Sequence, residues 1–164
     1  MKNQVCLRLL SVLLCTETLH AEPKVKISAQ LSGLAATEAK AFAKIRGERY
    51  PFPATVNSGS TIELGQEFKH PVVKDDCRFV GVMFAIKAKA IEGEIRYNGT
   101  FRVTRLGAIK QGVDPTVAPR PFEEWESIFN GFATPEEEVT ADLSKEAGSP
   151  ASITLRFTIV NDGK

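Results

Sequence analysis

The sequence predicts a mainly β protein, an antiparallel sheet or sandwich with one or two short α-helices, with an α+β arrangement left open. Three observations carry that prediction. Val25, Ile27, Ala29 and Leu31 alternate with Lys26, Ser28 and Gln30, the period of a strand with one buried face. Val80, Val82, Phe84, Ile86 and Ala88 share one face of a second run, which meets a turn signal at Glu92-Gly93. Ile153, Leu155, Phe157 and Ile159 alternate with Thr154, Arg156 and Thr158 before Asn161-Asp162-Gly163 ends the pattern.

The intervening segments fill in the order of elements. Residues 35–45 are rich in Ala, carry Glu38, Lys40 and Lys44, and are followed by Gly47, which reads as a short helix or a helical turn, although Ala-rich stretches also occur in strands. Tyr50-Pro51-Phe52-Pro53 stops it, because proline lacks the N–H of a regular ladder and restricts the residue before it. Val56-Asn57-Ser58-Gly59-Ser60 is a polar turn, and Ile62 and Leu64 then fall on one face of a strand that leads through Pro71 towards Phe79. Residues 79–106 read as a hairpin whose return strand carries Ile95, Tyr97, Phe101 and Val103, with Asn98-Gly99 as a candidate bulge. Lys87 and Lys89 mark the wet end of its first strand.

Pro115, Pro119 and Pro121 make residues 112–121 an extended loop. Phe122, Trp125, Ile128 and Phe129 then recur at spacings of three and four, with Glu123, Glu124 and Glu126 between them and Asn130-Gly131 as a stop. That spacing predicts a short amphipathic helix. Thr134-Pro135-Glu136-Glu137 has the composition of a helix start, so residues 134–144 read as a second short helix or a loop.

At 164 residues the chain suits a single domain. Lys2 and Arg8, the apolar run from Leu9 to Cys15 and the Leu19-His20-Ala21 sequence describe a cleavable secretory signal over residues 1–21, leaving one mainly β domain over 22–164. The run is too short to cross a bilayer, so membrane association would have to use β-strands. Cleavage removes Lys2, Arg8 and Glu17 from a chain of formal charge +1 and leaves the remainder neutral. Such a balance gives no overall electrostatic footprint for nucleic acid or an anionic membrane. Cys6 and Cys15 leave with the signal, and Cys77 alone can form no internal disulfide.

Three stretches resemble, in order, segments of the secretin family, the outer-membrane pore subunits of type II and type III secretion and type IV pilus machines. Val25-Lys26-Ile27-Ser28-Ala29-Gln30-Leu31 is similar to the strand that opens the family's conserved core. The turn-Gly strand through Ile62, Leu64 and Gly65, followed by Pro71 and Val80-Gly81-Val82, is similar to its "i.lG" and "vGv" segments, and residues 153–161 to its closing strand. The family's "vP.LGdiP.lG.lF" gate signature has no counterpart between Gly107 and Pro150, and the resemblance takes in none of the family's N-terminal ring-forming domains. The resemblance implies a reduced or divergent secretin-like subunit, exported to the periplasm or outer membrane of a bacterium. Its implied partners are further copies of itself or secretion and pilus assembly proteins.

Candidate chemistry is sparse, and each candidate has two readings. His70 and Cys77 flank Asp75-Asp76, which reads either as a nucleophilic pair or metal site, or as a polar loop between strands. No orienting third group or oxyanion site accompanies them, so no enzyme activity, metal or cofactor is expected. Phe122, Trp125, Phe129 and Phe132 form a candidate partner surface, or else cover the open face of a sheet with Trp125 in the core. Glu136-Glu137-Glu138 reads as a solvated run, and Gly59 and Gly65 as turn and close-approach residues. The function expected is that of a non-enzymatic, exported, secretin-like component of a secretion or pilus assembly. The alternative is a soluble periplasmic β-sandwich that binds a protein or small ligand, and the two differ in assembly size.

Overall fold

A computed structural model describes residues 23–69, 77–108, 111–112, 121–144 and 150–160. The signal read over residues 1–21, most of the proline loop, and His70, Asp75 and Asp76 lie outside those residues. Two four-stranded antiparallel sheets and one helix make up the described chain.

The first strand, β1 (Lys24–Ser32), buries Val25, Ile27, Ala29 and Leu31 and exposes the residues between them, as the period of two requires. Helix α1 (Gly33–Arg46) follows directly. Its buried face is built from Ala35, Ala36, Ala39 and Ala43, small side chains that let the helix lie close to the strands. Gly47 ends it in the left-handed conformation, with Glu48 N–H donating to the Ala43 carbonyl at 2.9 Å.

A short strand not foreseen in the sequence, β2 (Ala54–Asn57), pairs with the outer edge of β1. The chain then changes sheets. The polar turn at residues 58–60 does not close a hairpin; it carries the chain from β2 in one sheet to β3 (Thr61–Lys69) in the other. Its polar groups extend the second sheet: the Ser58 hydroxyl accepts from Ala88 N–H at 2.8 Å and donates to the Ala88 carbonyl at 2.6 Å, and Gly59 N–H donates to the Ile86 carbonyl at 2.9 Å.

From β3 the chain runs as a meander through β4 (Cys77–Ile91), β5 (Glu94–Leu106) and β6 (Phe122–Ala133), each paired with the one before. The β4–β5 hairpin turns at Glu92-Gly93 as expected, and its register is continuous past Asn98-Gly99, so no bulge forms there. Gly99 instead makes room: a Cβ at that position would overlap the Phe129 ring. Then β7 (Glu138–Asp142) and β8 (Ala151–Val160) complete the first sheet, in the order β2-β1-β8-β7.

The segment expected as an amphipathic helix at residues 122–129 is β6, and the second expected helix is a turn followed by β7. Inside β6 the buried positions are Trp125, Phe129 and Ala133, interleaved with half-buried Ser127 and Gly131. The small residues at alternate inner positions conceal the period of two, leaving a spacing of four between large side chains that imitates a helix. The pairing of twelve residues with β5 overrides the local pattern.

The inner faces of the two sheets meet in one core. Phe157 of β8 stacks on Tyr97 of β5 with ring centroids 4.9 Å apart, and Phe101 meets Trp125 edge-on at 5.4 Å. Val82, Phe84, Ile86, Phe101 and Val103 lie within this core, so the inward face of the β4–β5 hairpin contacts protein. An ion pair joins α1 to the second sheet: buried Glu38 receives Arg105, with Arg105 Nε donating to Glu38 Oε2 at 3.0 Å.

Candidate functional site

The face of the second sheet turned away from the core carries a polar constellation drawn from three strands. Strand alternation puts Glu63 and Glu67 of β3, Arg96 and Arg102 of β5, and Glu124 and Glu126 of β6 on that side, opposite the apolar set. Its two ends differ in charge.

At one end lies a concavity of about 660 Å³ whose lining includes Arg46, Glu63, Glu67, Arg78, Arg102 and Glu124. Arg102 sits directly across from Glu126, and both its Nε and its Nη2 donate to Glu126 Oε1, at 3.2 and 2.7 Å. Glu124 Oε1 stands 3.8 Å from Arg102 Nε. The hydrogen bond to Glu126, reinforced by the charges of Glu126 and Glu124, pushes the Arg102 guanidinium above its ordinary value. Beside it, the Arg78 guanidinium lies 4.7 Å from the centroid of the Phe122 ring, and Phe68 meets that ring edge-on at 6.0 Å. The arrangement balances cations with carboxylates and offers paired polar groups for recognition.

At the other end is a smaller hollow of about 390 Å³ near the turn of the β4–β5 hairpin, lined by Lys87, Lys89, Arg96, Asn98, Asn130 and Phe132 among others. Sequence reasoning treated Lys87 and Lys89 as a wet strand end and passed over Arg96. Counting back from the Glu92-Gly93 turn sets Lys89 opposite Arg96, and that arithmetic was available in the sequence.

The four aromatics read as a partner surface divide. Trp125 and Phe129 are 7% and 6% exposed and belong to the core, Phe122 is half-buried beside Arg78, and Phe132 is 64% exposed. They do not form one surface, because alternation along β6 sends Phe132 to the face opposite Trp125 and Phe129. Of the Cys77 and His70 pair only Cys77 is described; it is exposed at the start of β4, with Sγ 3.8 Å from Glu67 Oε2. Among the described residues no group of three His, Cys, Asp or Glu side chains is placed to hold a metal ion. Glu136 of the acidic run pairs with Arg156 at 3.1 Å.

No protein-family model and no curated protein sequence matches the chain. Among solved structures it is similar to a chain of the Klebsiella pneumoniae type II secretion system outer membrane complex of PulD, PulS and the PulC HR domain, with 13% identity over 87% of this chain and a TM-score of 0.49. It is also similar to the type II secretion system secretin GspD of E. coli K12, with 11% identity over 85% of this chain and a TM-score of 0.42. The matched parts span 41% and 48% of those chains, less than half of each.

Proposed function

We propose that this chain is a non-enzymatic, exported component of secretin type, contributing β structure to a secretion or pilus assembly at the outer membrane or in the periplasm. One observation carries the reading. The stretches that resemble secretin segments in the sequence are paired with one another in the fold. The opening and closing stretches are β1 and β8, hydrogen-bonded neighbours along nine residue pairs. The "i.lG" and "vGv" stretches are β3 and β4, and their glycines, Gly65 and Gly81, stand directly opposite each other.

A Cβ on either glycine would overlap the backbone of the other strand, at the Val80 carbonyl for Gly65 and the Leu64 carbonyl for Gly81. Such close approach explains why both positions of the pattern hold glycine. The role proposed is structural, and its partners are copies of itself or other assembly proteins.

A second reading, a soluble periplasmic sandwich that binds a protein or small ligand, is favoured by the polarity of the outer faces. Lys24, Lys26, Ser28 and Gln30 of β1 and Arg156 and Thr158 of β8 cover the outside of the first sheet, as charges cover much of the second. Light scattering coupled to size-exclusion chromatography, on protein from the membrane and soluble fractions of its host, separates the two. A heat-resistant, detergent-extracted multimer is expected for the secretin-type component. A soluble monomer would overturn it in favour of the sandwich.

A further inference from the structure

We infer that the outer face of the β4–β5 hairpin, just behind the exposed Glu92 and Glu94 of its turn, is a docking surface for an anionic phospholipid membrane, touched from its surface and not spanned. Although the chain is close to neutral overall, three cations converge here: Lys87, Lys89 and Arg96 line one hollow of about 390 Å³ whose lining holds no carboxylate. Lys89 and Arg96 are directly opposed across the hairpin. Among the described residues, neither Lys87 nor Arg96 has a carboxylate partner within ion-pair distance. Elsewhere on the same face the arginine of the sheet is matched by Glu124 and Glu126.

The apolar side chains beside these cations point to a membrane in preference to a soluble anion. Phe132, 64% exposed, is the cross-strand neighbour of Arg96, and Ile91, 43% exposed, lines the same hollow at the turn. Exposed aromatic and aliphatic side chains set among Lys and Arg can enter the headgroup boundary while the cations meet lipid phosphates. Asn98 and Asn130, paired across β5 and β6, add amide donors beside them. By strand alternation Lys87, Lys89 and Ile91 of β4, Arg96 of β5 and Phe132 of β6 fall on the same outer face of the second sheet, so one surface can meet them together. This surface does not depend on the secretin-type reading.

The test is flotation of the full chain with vesicles of phosphatidylcholine alone and of phosphatidylcholine mixed with phosphatidylglycerol. Binding only to the mixed vesicles, weakening as salt is raised, is expected. Each cation removed should weaken it about fivefold, so Lys87→Gln with Arg96→Gln lowers it on the order of 25-fold. Phe132→Ser should weaken binding while leaving its salt dependence unchanged. Lys26→Gln, on the outer face of the other sheet, should leave binding as it was, and unchanged melting temperatures will show that each variant folds. Equal binding to both vesicle types, no binding, or an equal loss in Lys26→Gln overturns the proposal. So would perturbation of this face of the hairpin by inorganic phosphate without vesicle binding, which would assign the patch to a soluble anion.

Discussion

Gly65 and Gly81 show how a single residue type can be dictated by the partner strand. Each lacks a side chain where the opposing backbone leaves no room for a Cβ, and the neighbour in each case is main chain, which cannot rotate away. Gly65→Ala or Gly81→Ala should therefore lower stability by roughly 1–3 kcal/mol, the range of overpacking, as urea denaturation would report. Gly59→Ala separates the two causes, because its added methyl meets open space while its φ of 86° is left-handed, so any loss there reports backbone strain without a clash. Asp142 makes a different kind of prediction. Hydrogen bonding from the Ser144 hydroxyl first, and then from the Ser144 N–H, which donates to Asp142 Oδ1 at 2.8 Å, holds the carboxyl below its ordinary value. A lowered folded-state value means that the contribution is present above the unfolded carboxyl's range and disappears as pH falls through the folded one. An NMR titration should place Asp142 below an ordinary aspartate, and Ser144→Ala should return it towards that value.

The elements tell why the sequence was legible in some places and not in others. Strands β1, β4 and β8 announced themselves because their buried inward positions hold apolar side chains, mostly Val, Ile, Leu and Phe. Strand β6 did not, since Ser127 and Gly131 occupy inward positions opposite Phe101 and Tyr97, whose rings fill the space. The volume that belongs to one strand is supplied by its neighbour, and no single-strand pattern can display that. Two substitutions separate strand from helix here. Phe129→Ala should cost about 3–5 kcal/mol, whereas Ile128→Ser, at a side chain 72% exposed, should change stability by no more than about 0.5 kcal/mol. A helix with both residues on its apolar face would lose comparable stability from each, so a calorimetric melt of the two variants distinguishes the structures. The polar site was partly readable for the same geometric reason. Lys87 and Lys89 were visible, but their meeting with Arg96 needed the register set by the turn.

For the whole molecule, sequence distance and spatial distance disagree in an orderly way. The second sheet is a meander of consecutive strands, while the first joins β1 to β8 across nearly the entire described chain. Non-local pairing of that kind slows folding, because loop closure must precede the contacts that reward it. Stopped-flow refolding is expected in the range of milliseconds to seconds, on the order seen for sandwich proteins. A microsecond rate would show that β1 and β8 do not limit the reaction.

The same pairing also decides how the fold bears force. Because β1 and β8 run antiparallel with Lys24 opposite Val160, the two ends of the described fold lie side by side. Tension applied through them loads the ladder one hydrogen bond at a time, as in opening a zip, instead of shearing all nine pairs together. A translocating motor or a pulling partner would therefore peel β8 from β1 at low force, exposing both strands while the neighbouring meander is still closed.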